Sequence, residues 1–246
     1  MNLPSTTTDS SPVSKTSSVS KKRWMAALLL CAILWLAATV ASQFLPQVLL
    51  NLPLVGITFA LVGVLQLLLA PVAIGVGLSI VRLQFREIGL TTAEWQREAL
   101  LGLAVAAVFA ALQFLIIIPN TGGATRSDIV ANSAQIGDSI GGVVGFLVLA
   151  WAGAFSEELF FRGYFVTTLR HLFGNTRLAL TAITILTTAL FALGHGYQGW
   201  AGVIDTGIYG GLILTLLFLW RGRLTAPIVA HAMWNTYPTL ARYFLY

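Results

Sequence analysis

"FSEELFFRGYF", residues 155–165, sets two adjacent glutamates and an arginine inside a chain that is 57% hydrophobic and only 9% charged. An ionisable side chain in hydrocarbon costs at least about 2.5 kcal/mol on the mildest scale. It persists where it is paired or where it works. On a helix Glu158 and Arg162 are four residues apart, share a face and form an ion pair. Glu157 lies about 100° further round the helix and cannot use the same partner on that face. It must find hydrogen bonds, water or a cation elsewhere. A plainer reading makes this stretch the solvated end of a span. The apolar "LFFRGYF" that follows the pair argues against it, and the helix is expected to run on to about Phe173 before turning at Gly174-Asn175.

An ordinary soluble domain is about 25% charged. This chain is far below that, and several of its apolar runs are long enough to cross a bilayer. The fold class is therefore all-α, a polytopic transmembrane helix bundle embedded in lipid. Strand-like alternation is absent, which argues against an outer-membrane barrel. The net charge of +5 does not mark a nucleic-acid binder, because the basic residues fall in the connections between spans. Cys31 is the one cysteine, so neither a disulfide framework nor a thiolate metal site is available.

About seven spans are expected: Trp24 to about Phe44, Leu54–Val81 with a tilt or kink near Pro71, and about Glu98–Ile118, closed by Pro119. A polar, glycine-containing loop follows through Asp138. The fourth span starts near Ile140 and carries the glutamate pair; the others are about Leu178–Gly194, Val203–Trp220 and Leu224–Tyr243. Residues 1–22, rich in Ser, Thr, Pro and Lys, read as a disordered cytoplasmic tail. Residues 23–96 then form N-terminal transmembrane helices, and 97–246 the membrane core that carries the chemistry.

The charge distribution fits this count. With the tail inside, the inner segments hold Lys15, Lys21, Lys22, Arg23, Arg82, Arg86, Arg97, Arg170, Arg177, Arg221 and Arg223, and the outer ones only Arg126 and Arg242. The N-terminus is expected to be cytoplasmic and the C-terminus non-cytoplasmic.

Three histidines are candidate partners for Glu157. His171 lies beside Arg170 near a turn and reads as interfacial, without a catalytic role. His195 ends the fifth run in "FALGHG", and His231 stands in "IVAHAMWNTY" with Asn235 four residues on, sharing a helix face. Folding the chain about Gly174-Asn175 puts Glu157 and His195 at comparable depth on antiparallel helices, at about 1.5 Å per residue. His231 reaches that depth if the Gly174 turn protrudes. Glu157, His195, His231 and Asn235 then converge on one intramembrane polar cavity. Singly, a histidine on an apolar helix is more often a hydrogen-bonded core residue, and Phe191, one turn before His195, reads as packing. Several such residues at helical spacings within a membrane are rare by chance. Two histidines and a carboxylate (Glu157, His195, His231) can bind Zn2+ or another divalent metal and leave a site for water. Without any metal, the same residues provide a carboxylate base on water and donors for an oxyanion.

Three stretches in this order resemble the CAAX protease and bacteriocin-processing family, also called Abi or CPBP: "EELFFR" (Glu157, Glu158, Arg162), "FALGH" (Phe191, His195) and "HAMWN" (His231, Asn235). The resemblance covers about residues 140–242, and "FREIGLTTAEW" resembles the lead-in of bacterial members. It implies a CAAX-protease-like core and an intramembrane peptidase of glutamic or metallo type. Glu157 would activate water with His195 beside it. His231 and Asn235 would bind a metal or stabilise the oxyanion, and Glu158 and Arg162 would organise the site. Eukaryotic members remove the last three residues of prenylated CAAX proteins. This chain shows no eukaryotic targeting feature, so the expected substrate is a peptide or membrane protein met within the lipid bilayer. Other members are associated with bacteriocin maturation, with self-immunity or with anchoring partner proteins. Two competing functions follow: a non-enzymatic immunity or scaffold protein of the same family, and an ion-coupled transporter. The intact polar set favours the peptidase over a scaffold. The absence of a matching discontinuous helix in the N-terminal half disfavours a repeat-built transporter.

Overall fold

A computed structural model describes residues 19–245, and eight helices joined by short turns make up these described residues. We label the helices α1 (Lys21–Leu50), α2 (Thr58–Val81), α3 (Trp95–Asn120), α4 (Ser127–Ile136), α5 (Ile140–Phe173), α6 (Arg177–Gly194), α7 (Gly196–Arg221) and α8 (Thr225–Leu245). No strand occurs among the described residues. Of the expected tail, residues 1–18 lie outside the described part, whereas Lys21 and Lys22 already belong to α1.

Among the described residues six helices are long and apolar enough to span a membrane: α1, α2, α3, α5, α6 and α7. The multi-pass helical bundle is thus present, with one apolar span fewer than expected. The difference is α8, which is 21 residues long but carries His231, Asn235, Thr236 and Thr239. Its polar face turns inward, since His231, Thr236 and Thr239 are all buried. The first span runs past Phe44 to Leu50, with Pro46 inside the helix. The sixth begins at Gly196 rather than near Val203. The stretch expected to be loop up to Asp138 contains the ten-residue helix α4, too short and too polar to show as an apolar run.

Side chains with few polar atoms all round the helix give each span a lipid-facing surface. Leu29, Ile33, Leu68, Leu115, Ile185 and Leu193 are exposed on the outside of the bundle. Tyr197 and Trp200 are exposed at the α6–α7 junction, where amphipathic rings suit a membrane–water boundary. Helix α5 is central. It packs on α2 and on α8; α1 covers α2, α3 lies along α8, and α6 lies along α7. Glycines permit two of these approaches. A Cβ on Gly102 of α3 would lie 2.6 Å from the Ala226 carbonyl oxygen of α8, and one on Gly210 of α7 would overlap the Phe191 ring of α6.

One end of the bundle gathers the basic connections. There Trp24 stacks on His171 at 4.3 Å, and the Leu224 N–H donates to the Gly89 carbonyl at 2.9 Å. Glu98, fully buried, accepts from Arg221 Nη2 at 2.5 Å and from Arg223 Nη1 at 3.2 Å. Arg223 also donates to Glu94 at 2.9 Å, a bond that holds the Glu94 carboxyl below its ordinary range. At the opposite end Arg126 is buried, and it is neutralised by Asp128 at 2.8 Å and Asp205 at 2.6 Å.

Candidate functional site

Helices α5, α6 and α8 position the candidate residues. The first part of α5 is α-helical to Glu158 and then widens into a π-helical stretch, Leu159–Val166. Such wide turns are uncommon and recur at functional sites. A second one, Gly207–Ile213 in α7, lies against α6 and includes Gly210. Behind α5, Trp35 of α1 donates its Nε1–H to Ser156 Oγ at 3.1 Å and stacks on Phe160 at 4.3 Å. A helix outside the motif stretch therefore backs the turn that carries the glutamates.

Glu158 and Arg162 form the ion pair that their spacing predicts, Nη1 to Oε1 at 2.8 Å, with both side chains fully buried. The same Oε1 receives His231 Nδ1 at 2.8 Å. Glu158 therefore sits between a guanidinium and an imidazole. A carboxylate bonded to Nδ1 fixes that nitrogen as the protonated one and leaves Nε2 as the free ring nitrogen. His231 Nε2 is 3.9 Å from Glu157 Oε2. Glu157 is the more open of the two glutamates, with 28% of its side chain exposed. Its Oε2 is buried and without a hydrogen-bond partner.

Phe191 connects the rest. It is 1% exposed; Arg162 lies 4.5 Å above its ring, His195 is 4.8 Å away and His231 5.8 Å. The contact with Arg162 is a desolvated cation–π pair, which supplements the single Nη1 bond that guanidinium makes to Glu158. Reading Phe191 as packing alone therefore understates it. His195 Nδ1 is 2.9 Å from the Phe191 carbonyl, so that nitrogen carries the proton and Nε2 is free.

A cavity of about 40 Å³ is lined by Phe191, His195, Gln198, Thr206, Gly210, His231, Trp234 and Asn235. It has room for water and is too small for a large side chain. The structure thus brings His195, His231 and Asn235 to one cavity, with Glu157 beside His231. It does not pair Glu157 with His195: among the described residues, the imidazole within 4 Å of Glu157 is that of His231. A larger depression of about 260 Å³ at the basic end, lined in part by Glu87, Arg170 and His171, has no candidate residue in its wall. Gln198 and Thr206 were not singled out from the sequence. A glutamine three residues after His195 in an otherwise apolar stretch was the available signal.

No group of three or more His, Cys, Asp or Glu side chains suited to a metal ion occurs among the described residues. His231 has committed Nδ1 to Glu158, which leaves its Nε2 and one Glu157 oxygen as the two neighbouring donors. Structural and catalytic zinc sites use at least three protein ligands.

Fold and site together define a multi-pass helical membrane protein with a buried carboxylate–imidazole constellation. Residues 139–237 match the protein family described as type II CAAX prenyl endopeptidase Rce1-like. All the motif residues from Glu157 to Asn235 fall inside this segment. No curated protein and no solved structure matches the chain.

Proposed function

We propose that the chain is an intramembrane endopeptidase of glutamic type that cleaves peptides or membrane proteins. The observation that carries this reading is the relay Arg162–Glu158–His231–Glu157, in which Glu158 Oε1 is committed to both Arg162 and His231 while Glu157 is held more open beside a free imidazole nitrogen. Two adjacent carboxylates thus receive different tasks. Glu158 orients His231. Glu157 is the general base.

In the reaction, a water between Glu157 Oε2 and His231 Nε2 gives its proton to Glu157. The oxygen adds to the scissile carbonyl carbon. The carbonyl oxygen takes the negative charge, and the Asn235 amide donates to it. Glu157 then passes its proton to the leaving nitrogen as the C–N bond breaks, which yields an acid and an amine. His195 bounds the cavity that holds the substrate carbonyl. The core is placed at 97–246, with the N-terminus in the cytoplasm and the C-terminus on the other side. Support comes from the collection of basic residues at one end of the bundle.

The test is a comparison of wild type and Glu157→Gln in cells by quantitative membrane and secreted peptidomics. Shortened products present with wild type and absent with the variant are expected. Identical peptide profiles from two equally expressed proteins would overturn the peptidase reading in favour of an immunity or scaffold role.

A further inference from the structure

Gln198 is held on every side. Its main-chain N–H donates to the His195 carbonyl at 3.0 Å, and its main-chain carbonyl accepts from Ser127 Oγ of α4 at 3.0 Å. Its side-chain Oε1 accepts from Thr206 Oγ1 at 2.8 Å. Gly202 makes space for it: a Cβ there would stand 2.6 Å from the Gln198 Cβ. With Oε1 accepting from Thr206, the Nε2 group has two protons to donate. One points to Tyr197 Oη at 3.3 Å, a long contact. Gln198 also lines the His195–His231–Asn235 cavity.

That cavity therefore has two primary amides, Gln198 and Asn235, set among the apolar surfaces of Phe191, Gly210 and Trp234. The complement of an amide N–H in such a wall is a carbonyl oxygen. A peptide main chain offers one at each residue, whatever its side chains. We propose that Gln198 is a substrate-binding residue that donates from Nε2 to a main-chain carbonyl of the peptide next to the scissile bond. The role rests on the peptidase reading above. Thr206 is its positioning residue. Recognition then depends on a main-chain carbonyl of the peptide reaching the cavity.

The experiment uses the full chain in proteoliposomes and, as probe, a peptide library made by digesting bacterial membrane proteins, with cleavage read by mass spectrometry. Steady-state constants are then measured on the peptide cut fastest. Gln198→Leu removes the donor, and Gln198→Glu keeps its shape without the N–H groups. Both are expected to raise KM roughly tenfold and to lower kcat less, as loss of one neutral hydrogen bond to a bound ground state does. Melting temperatures should match wild type. An unchanged KM in both variants overturns the role of Gln198 alone, and so does a KM change found only with a lowered melting temperature. A wild type that cuts nothing in the library while Glu157→Gln behaves identically removes the peptidase reading, and the assignment of Gln198 with it.

Discussion

Glu158 Oε1 lies 2.8 Å from His231 Nδ1 and, at the same time, 2.8 Å from Arg162 Nη1. One carboxylate oxygen thus joins α5 to α8 and fixes which nitrogen of His231 faces Glu157. The neighbouring glutamate makes no such commitment, and that asymmetry gives the two residues separable phenotypes.

Glu157→Gln is expected to abolish cleavage, by at least about a hundredfold, which is the usual contribution of a general base. Folding should be intact, because Glu157 Oε2 has no hydrogen-bond partner to lose. Glu158→Gln should behave differently. It removes the counter-charge of the buried Arg162 and loosens His231, so stability and activity should fall together. Thermal melting in detergent, measured beside turnover, separates the two variants. Equal melting temperatures for them would refute the division of roles.

Arg162→Ala leaves Glu158 buried with His231 as its sole hydrogen-bond partner, and removes the cation over Phe191. Breaking a buried pair from one side typically costs roughly 3–5 kcal/mol. The expected result is a much lower yield of folded protein. Replacing both partners, Glu158→Gln with Arg162→Met, should recover part of that stability without recovering activity. A single Arg162→Ala variant with normal expression and melting would refute the ion pair's structural role.

The Glu158–Arg162 pair was legible in the sequence because both residues stand on one helix, where spacing alone decides whether they meet. The link from Glu158 to His231 was not. It depends on how α8 is rotated about its axis relative to α5, and the sequence reading brought His231 to one cavity with Glu157 without linking it to Glu158. The π-helical stretch Leu159–Val166 leaves no mark in apolar periodicity either, because seven of its eight residues are buried and no single face stands out. Helix α4 was hidden because polar, glycine-flanked segments of its length look like loop. Gln198 was missed because a single amide carries no pattern; only the fold of α7 shows that it shares a cavity with His195 and Asn235.

Glu98 offers a contrast with Arg162. It is fully buried and bonds Arg221 and Arg223, whose side chains keep 21% and 24% exposure. Those guanidinium groups can turn to water when the carboxylate is lost. Glu98→Gln should therefore cost about 1.5–3 kcal/mol, the range for hydrogen bonds to charged groups, and less than Arg162→Ala. Nearby, Glu94 titrates below its ordinary range because Arg223 donates to it. Its contribution is complete above the unfolded carboxyl's pKa and is lost only as pH falls through the depressed folded value. A Glu94→Gln variant should match wild type at strongly acid pH and differ from it at neutral pH. Melting curves across that interval check the sign.

Gly210 is the position where α7 admits the ring of Phe191. Gly210→Ala forces a methyl group into that ring, and the ring cannot retreat freely because Arg162, His195, His231 and Phe161 surround it. Overpacking of this kind costs roughly 1–3 kcal/mol. The larger effect should be on activity. Phe191 carries its own carbonyl bond to His195 Nδ1 and its ring contact with His231, so a shift of α6 moves both imidazoles relative to Glu157. Such misplacement costs rate out of proportion to stability, on the order of a hundredfold for an ångström. Phe191→Leu in the Gly210→Ala background vacates part of the overlap and should restore melting temperature without restoring turnover, since the cation–π contact with Arg162 is gone. Full recovery of turnover in that double variant would show that Phe191 acts through packing alone.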